Sequence, residues 1–405
     1  MTQRMGPRPL PLHLATSASV LMSSLAALPS AKSGLISWNA NASRPTSASE
    51  ADRIQTAIAA ADAEVLTAAV ASEATTRLAD FVAGIRAYRD HPYVRPRPEA
   101  ATLWQDGSSS LLDYGGDGRL VLLTPSLINR STILDLLPGA SFCAWLKANG
   151  HRPLLLDWGP PGDEELEFNL DAYITTRLGP ALNAASALAD GPVPLIGYCM
   201  GGLLALAAAL RQPSDVSGLA LLATPWDFHA ERASRTGILA TAAAPPSGPG
   251  TPPLPVDLIQ ALFTFLQPNL LQAKFRRFAT MDPASPDAEA FVALEDWLND
   301  GVELAAPAAR DCLIGWYRDN TPGKGGWCVA GEPINPSRLT CPAFVALPTR
   351  DRIVPPASAS ALADSLPGPT VIEPRAGHIG MMVGSRAEMD LWVPLGDWLT
   401  GLHRG

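Results

Sequence analysis

The chain has 405 residues, 47% hydrophobic and 17% charged, against a charged share of about 25% in ordinary domains; it can bury a large core, and wholesale disorder is excluded. A net charge of −9, from 30 basic and 39 acidic residues, leaves no basic footprint for nucleic acid and no polybasic membrane anchor. Five cysteines without a CxxC pair, and six histidines without an HExxH helix, suit neither a disulfide framework nor a zinc site.

Residues 1–50 are rich in Ala, Ser and Pro and read as an extended arm. Within them, 10–29 is mildly apolar after Arg4 and Arg8, the outline of a signal peptide. Pro11, His13 and scattered Ser and Thr interrupt it, so export is not the favoured reading. No clean run of about 20 apolar residues occurs, and no membrane span is predicted. Residues 51–88 change character. Ile54, Ile58, Val65, Leu66, Val70, Leu78 and Phe81 follow a three-to-four spacing, which predicts one long helix or two shorter ones. Prolines then break the pattern over 91–100.

From about residue 119 strands and helices alternate. Leu120–Leu123, Pro153–Leu156, Val193–Ile196 and Leu219–Leu222 are short apolar runs. Helical patterns over 141–149, 170–189 and 203–210 separate them. Such alternation predicts βαβ units and a mostly parallel sheet with helices on both faces. The rhythm stops over 226–339, which offers no good strand. A Pro/Gly-rich stretch at 240–257 is followed by helical patterns at 258–266, 271–278, 288–298 and 308–317. Strand patterns resume at Ala343–Leu347 and near Val371, with helices over 357–366 and 389–402. The reading is therefore an N-terminal arm and helical extension (1–100), an α/β core in two parts (101–225 and 340–405), and a helical cap (226–339) inserted between its strands.

Reacting groups in open α/β sheets sit beyond the carboxyl ends of the strands. The strand ending at Ile196 runs into Gly197-Tyr198-Cys199-Met200-Gly201-Gly202 and then an apolar helix. This is a G-x-nucleophile-x-G elbow with Cys199 as the nucleophile. Glycines belong there because side chains two before and two after the nucleophile would crowd the sharp turn. The helix N-terminus favours negative charge on the sulfur. The Met200 N–H points to where an oxyanion develops. An ordinary buried cysteine is the rival reading, and it is the better one for Cys143, Cys312, Cys328 and Cys341, which lack such a setting.

A thiol nucleophile needs a base and the base an orienter, in the chain order nucleophile, acid, His for this architecture. Of His229, His378 and His403, only His378 comes after a strand in a loop, Ala376-Gly377-His378-Ile379-Gly380. Asp351 closes the preceding strand, 27 residues earlier. Its rival roles are a helix cap or an ion pair with a flanking Arg. A second oxyanion donor belongs to the loop after Leu123, at the Ile128 N–H.

Together these residues resemble the poly(3-hydroxyalkanoate) synthase family, a branch of the α/β-hydrolase fold. The likeness is carried by LINRSTILDLLPGASFCAWLKANGH (127–151), LLLDWGPPG (154–162), DAYI (171–174), IGYCMGG (196–202), FLQPNLLQAKFRRF (265–278), RDRIVPP (350–356) and AGHIGMMVG (376–384). It covers roughly residues 100–400, and the final loop and moderate length look more like the shorter class III catalytic subunit than class I. The resemblance implies that Cys199 takes the acyl group of an (R)-3-hydroxyacyl-CoA as a thioester. His378 would deprotonate Cys199. Asp351 would orient His378 or activate the 3-hydroxyl of the next unit, and CoA would leave as a polyester chain grows. It implies no cofactor or metal beyond the CoA thioester substrate. It also implies a homodimer formed through the cap, a partner subunit or polyester granule surface, and a cytoplasmic setting. One departure is Arg352, where the family usually has His after this Asp; it bears on CoA or product handling.

The rival function is a cysteine-nucleophile hydrolase: a thioesterase, a polyester depolymerase or a dienelactone-hydrolase-like esterase. Dienelactone hydrolases share the GYCMGG elbow but are shorter and lack the helical insertion. A non-catalytic granule-associated protein is disfavoured by the intact order of Cys, Asp and His.

Overall fold

A computed structural model of the chain describes residues 4–36, 48–230, 233–248, 250–266 and 270–402. The chain divides into two compact units, Met1–Tyr93 with Gln267–Val292, and Val94–Leu266 with Ala293–Gly405. The boundary expected at residue 100 thus falls at Tyr93. The insertion expected over 226–339 is shared: 267–292 belongs with the N-terminal helices and its remainder with the sheet.

The first unit is helical. Leu10–Lys32 is one continuous helix, which corrects the extended arm expected from the sequence. Pro11 falls in its first turn, where the missing N–H has no partner to lose, and Pro29 in its last. Ser23 and Ser24 turn their hydroxyls back onto the Val20 carbonyl, at 2.8 and 3.0 Å, instead of breaking it. By length and composition alone this helix is long and apolar enough to cross a membrane, a test that a signal sequence near an N-terminus passes equally. The pattern over 51–88 resolves into Ala48–Ala60 and Ala63–Asp90, and Asp62 caps the second by accepting from the Glu64 and Val65 N–H groups. Phe81, Ile85 and Tyr88 of that helix bury against Phe275, Phe278, Ala288 and Val292. Gly84 permits this crossing, since a Cβ there would collide with the Phe275 carbonyl. Residues 37–47 of the arm and 267–269 of the cap lie outside the described residues.

The second unit is built on an eight-stranded sheet. Its strands, with those of a small ribbon, are β1 Ala101–Asp106, β2 Ser109–Asp113, β3 Arg119–Thr124, β4 His151–Asp157, β5 Val193–Tyr198, β6 Val216–Leu222, β7 Cys328–Val329, β8 Glu332–Pro333, β9 Ala343–Ala346 and β10 Thr370–Ile372. The large sheet has the order β1-β2-β4-β3-β5-β6-β9-β10. Pairing is parallel from β4 through β10 and antiparallel for β1–β2 and β2–β4. β5 is buried at all six positions. Covered faces explain why the central strands read as unbroken apolar runs. Leu122, Leu195 and Leu219 lie side by side in the register, each fully buried.

All six strands expected from the sequence are present. The edge hairpin β1–β2 escapes the apolar pattern, because β1 is exposed or half-exposed along its length and carries no apolar run. The ribbon β7–β8 is the one strand pair described within 226–339, two residues on each side. Behind the hairpin, the buried Arg177 guanidinium bonds Glu165 Oε1 through Nη2 at 2.8 Å and Nε at 3.1 Å. Glu165 Oε1 also accepts from the Ser108 N–H at 2.9 Å.

Candidate active site

Cys199 stands between β5 and the helix Met200–Arg211 with φ 56° and ψ −127°. A non-glycine residue in such a conformation costs on the order of 1–3 kcal/mol, and the surroundings must hold it. They do so here through glycines. A Cβ on Gly197 would collide with the Gly202 backbone, one on Gly201 with the Thr124 and Pro125 carbonyls, and one on Gly202 with the Thr224 side chain. The Cys199 N–H donates to the Leu222 carbonyl at 2.8 Å, which ties the elbow to β6. The side chain stays half-exposed at the start of the helix, where the backbone N–H groups of the first turn have no intrahelical acceptor.

Asp351 and His378 come from the loops after β9 and β10. The backbone joins those loops: Thr349 N–H donates to the Pro374 carbonyl at 2.9 Å and Arg350 N–H to the Ala376 carbonyl at 3.0 Å. This brings together two residues 27 positions apart, with His378 Nδ1 2.6 Å from Asp351 Oδ2. The other carboxylate oxygen, Oδ1, accepts from the Ile353 and Val354 N–H groups at 2.8 and 2.9 Å. The Asp351 side chain has no exposed surface and that of His378 has 6%. Arg350 and Arg352 point to solvent, and Asp351 bonds the imidazole.

The imidazole also lies close enough to the Cys199 side chain to feel it electrostatically. Burial opposes charge on this ring. The electrostatic pull of the neighbouring Cys199, with the hydrogen bond to Asp351 and its charge, outweighs it and pushes the His378 pKa up to about 10. The structure thus joins Asp351 to His378 directly and sets the imidazole near Cys199, the three residues singled out in the sequence.

Met200 is the first helical residue, so its N–H is an orphan donor beside the sulfur. Ile128 lies on the loop after β3, as expected. Its N–H is 3.3 Å from Ser126 Oγ, a long bond, and its carbonyl accepts from the Val302 N–H at 3.1 Å. Trp297 Nε1 adds a 2.8 Å bond to the Arg130 carbonyl. The insertion therefore straps this loop, a feature that spacing alone does not reveal.

The remaining candidates have other surroundings. His229 Nε2 lies 3.2 Å from the Tyr317 backbone carbonyl. His403 lies outside the described residues. Burial pushes the thiols of Cys143 and Cys312 well up and that of Cys341 to about 11, so these sulfurs stay protonated at neutral pH. Among the described residues, no group of three or more His, Cys, Asp or Glu side chains is placed to hold a metal. Tyr198 is a site residue that sequence reasoning misses, although its place inside the elbow is visible there.

This sheet order and elbow define a class, and a family model agrees. A model of the α/β-hydrolase fold matches residues 181–385, just over half of the chain. The chain belongs to the α/β-hydrolase fold family. Its relatives there include the poly(3-hydroxyalkanoate) polymerase subunit PhaC of Haloferax mediterranei, 28% identical over 293 residues, 69% of this chain and 58% of the relative. The subunit of the same name from Allochromatium vinosum is 25% identical, with 69% of this chain and 80% of the relative covered. That of a Synechocystis strain is 28% identical, with 69% and 77% covered. The resemblance to poly(3-hydroxyalkanoate) synthases is borne out. The chain matches little over half the length of the Haloferax protein.

Proposed function

We propose that the chain is an acyltransferase that builds a polyester from (R)-3-hydroxyacyl-CoA through a thioester on Cys199. The observation that carries this reading is the 2.6 Å His378–Asp351 contact near Cys199 on a glycine-built elbow, in a chain whose relatives bear the name of poly(3-hydroxyalkanoate) polymerase subunits.

The geometry supports an ordered set of steps. Asp351 holds His378 with one nitrogen toward Cys199, and His378 keeps the proton that the thiol gives up. The sulfur attacks the thioester carbonyl carbon of the substrate. Negative charge develops on the carbonyl oxygen, where the Met200 N–H donates; the Ile128 N–H joins it by releasing Ser126 Oγ. The carbon–sulfur bond to CoA breaks, and the CoA sulfur leaves with the proton from His378. A hydroxyl, of the growing chain or of an incoming unit, then attacks the acyl-cysteine, gives its proton to His378 and frees Cys199. The residues present supply every proton transfer, and the CoA thioester is the only co-reactant these steps need. A homodimer formed through the insertion, and a partner subunit or a polyester surface, belong to the same proposal.

The half-exposed sulfur favours one second reading, in which water takes the place of the hydroxyl and the chain is a cysteine hydrolase. Incubation of the purified protein with (R)-3-hydroxybutyryl-CoA separates the two. Polymer with stoichiometric CoA release is the expected result. Free hydroxyacid as the sole acyl product contradicts the polymerase reading and supports the hydrolase.

A further inference from the structure

Tyr198 is the last residue of β5, and the residue is 3% exposed. Its hydroxyl donates to the His378 backbone carbonyl at 3.3 Å. Its ring lies 5.2 Å from the imidazole, centroid to centroid, with 32° between the planes. The strand that delivers the nucleophile therefore also touches the base, through the residue next to Cys199 in sequence. We propose that Tyr198 is a positioning residue that fixes His378 relative to Cys199, by its hydroxyl on the backbone and its ring against the imidazole.

The proposal rests on the acyltransferase reading only for its kinetic arm. The ionisable groups the structure sets against the imidazole are Asp351, Cys199 and Tyr198 itself. Burial, with the charges of Cys199 and Asp351, pushes the Tyr198 phenol well up, so it remains a neutral donor wherever the enzyme works. The electron-rich ring face favours a cationic neighbour over a neutral one. Hydroxyl and ring thus act differently: the first fixes position, the second also favours the charged imidazole.

Two variants separate these roles. Tyr198→Phe keeps the ring and removes the donor. Tyr198→Leu removes both. The readouts are kcat and KM with (R)-3-hydroxybutyryl-CoA, and the His378 titration by NMR in histidine-labelled protein, assigned by the signal lost in His378→Gln. Tyr198→Phe is expected to lower kcat roughly 3- to 10-fold, the range of one lost hydrogen bond, with KM and the titration midpoint unchanged. Tyr198→Leu is expected to lower kcat further and to move the His378 midpoint to lower pH. Wild-type kcat in Tyr198→Phe overturns the proposal, and so does a wild-type midpoint in folded Tyr198→Leu. The NMR arm needs no acyl substrate, so a wild-type protein without acyl transfer counts against the acyltransferase reading and leaves the titration result to judge Tyr198.

Discussion

His378 Nδ1 lies 2.6 Å from Asp351 Oδ2, and neither side chain has more than 6% of its surface exposed. The carboxylate is held on its far side by two backbone N–H groups, so it cannot turn away from the ring. Replacing it with asparagine keeps the shape and changes the chemistry. The amide NH2 faces Nδ1, which must then be unprotonated, and the proton moves to the nitrogen that should receive one from Cys199. Asp351→Asn is expected to lower kcat about 10²- to 10⁴-fold. Steady-state kinetics beside circular dichroism checks this, and a variant within a few-fold of wild type removes Asp351 from the relay.

The same contact makes a pH prediction with a definite sign. Folding raises the His378 pKa from an ordinary 6.5 to about 10. A group raised on folding contributes its stability fully below the unfolded pKa and loses it as pH climbs through the folded one. The Tm difference between wild type and His378→Gln should therefore be most favourable to wild type below pH 6.5 and decline toward pH 10. Calorimetric scans across that range check it. A difference that grows with pH contradicts the charged imidazole.

The elbow predicts a steric effect independent of charge. Gly201→Ala places a methyl against the Thr124 and Pro125 carbonyls, and Gly197→Ala places one against the Gly202 backbone. Backbone cannot step aside as a flexible side chain can. Each variant should lose about 1–3 kcal/mol of stability, the range for overpacking, and activity should fall with it. Denaturant titration gives the number, and an unchanged midpoint would show that the turn has more room than these contacts allow.

Away from the site, Arg177 and Glu165 test the support of the edge hairpin. Both side chains are 2% exposed. Arg177→Met leaves a buried carboxylate without its cation and should cost about 3–5 kcal/mol. The double variant with Glu165→Leu should recover most of that loss. Denaturation midpoints of the two variants check the pair; an equal loss in both means the cost is packing rather than charge.

Much of this is legible in the residues. Cys199 stands out because Gly197, Gly201 and Gly202 mark a turn with no room for side chains, and the structure shows the atoms that exclude them. Asp351 and His378 are legible from their loops, each just past the carboxyl end of a strand, because parallel strands aim those ends at one edge. Tyr198 is hidden by its own type, because a buried aromatic next to a nucleophile reads as core. The helix Leu10–Lys32 is hard to see because prolines and hydroxyls look like interruptions unless their position in the first or last turn is known. The division of the insertion is beyond reach, since helical spacing shows that Phe275 and Phe278 face a core but not whose core it is.

The central claim is a covalent one, that the acyl group passes through the sulfur of Cys199. Rapid quench of the protein with (R)-3-hydroxybutyryl-CoA, and then peptide mass mapping, tests it most directly. The account predicts a hydroxybutyryl thioester on the peptide carrying Cys199, with none on those carrying Cys143, Cys312, Cys328 or Cys341, and none in Cys199→Ala. CoA release at the wild-type rate by Cys199→Ala, or acylation of another cysteine in its place, would contradict it.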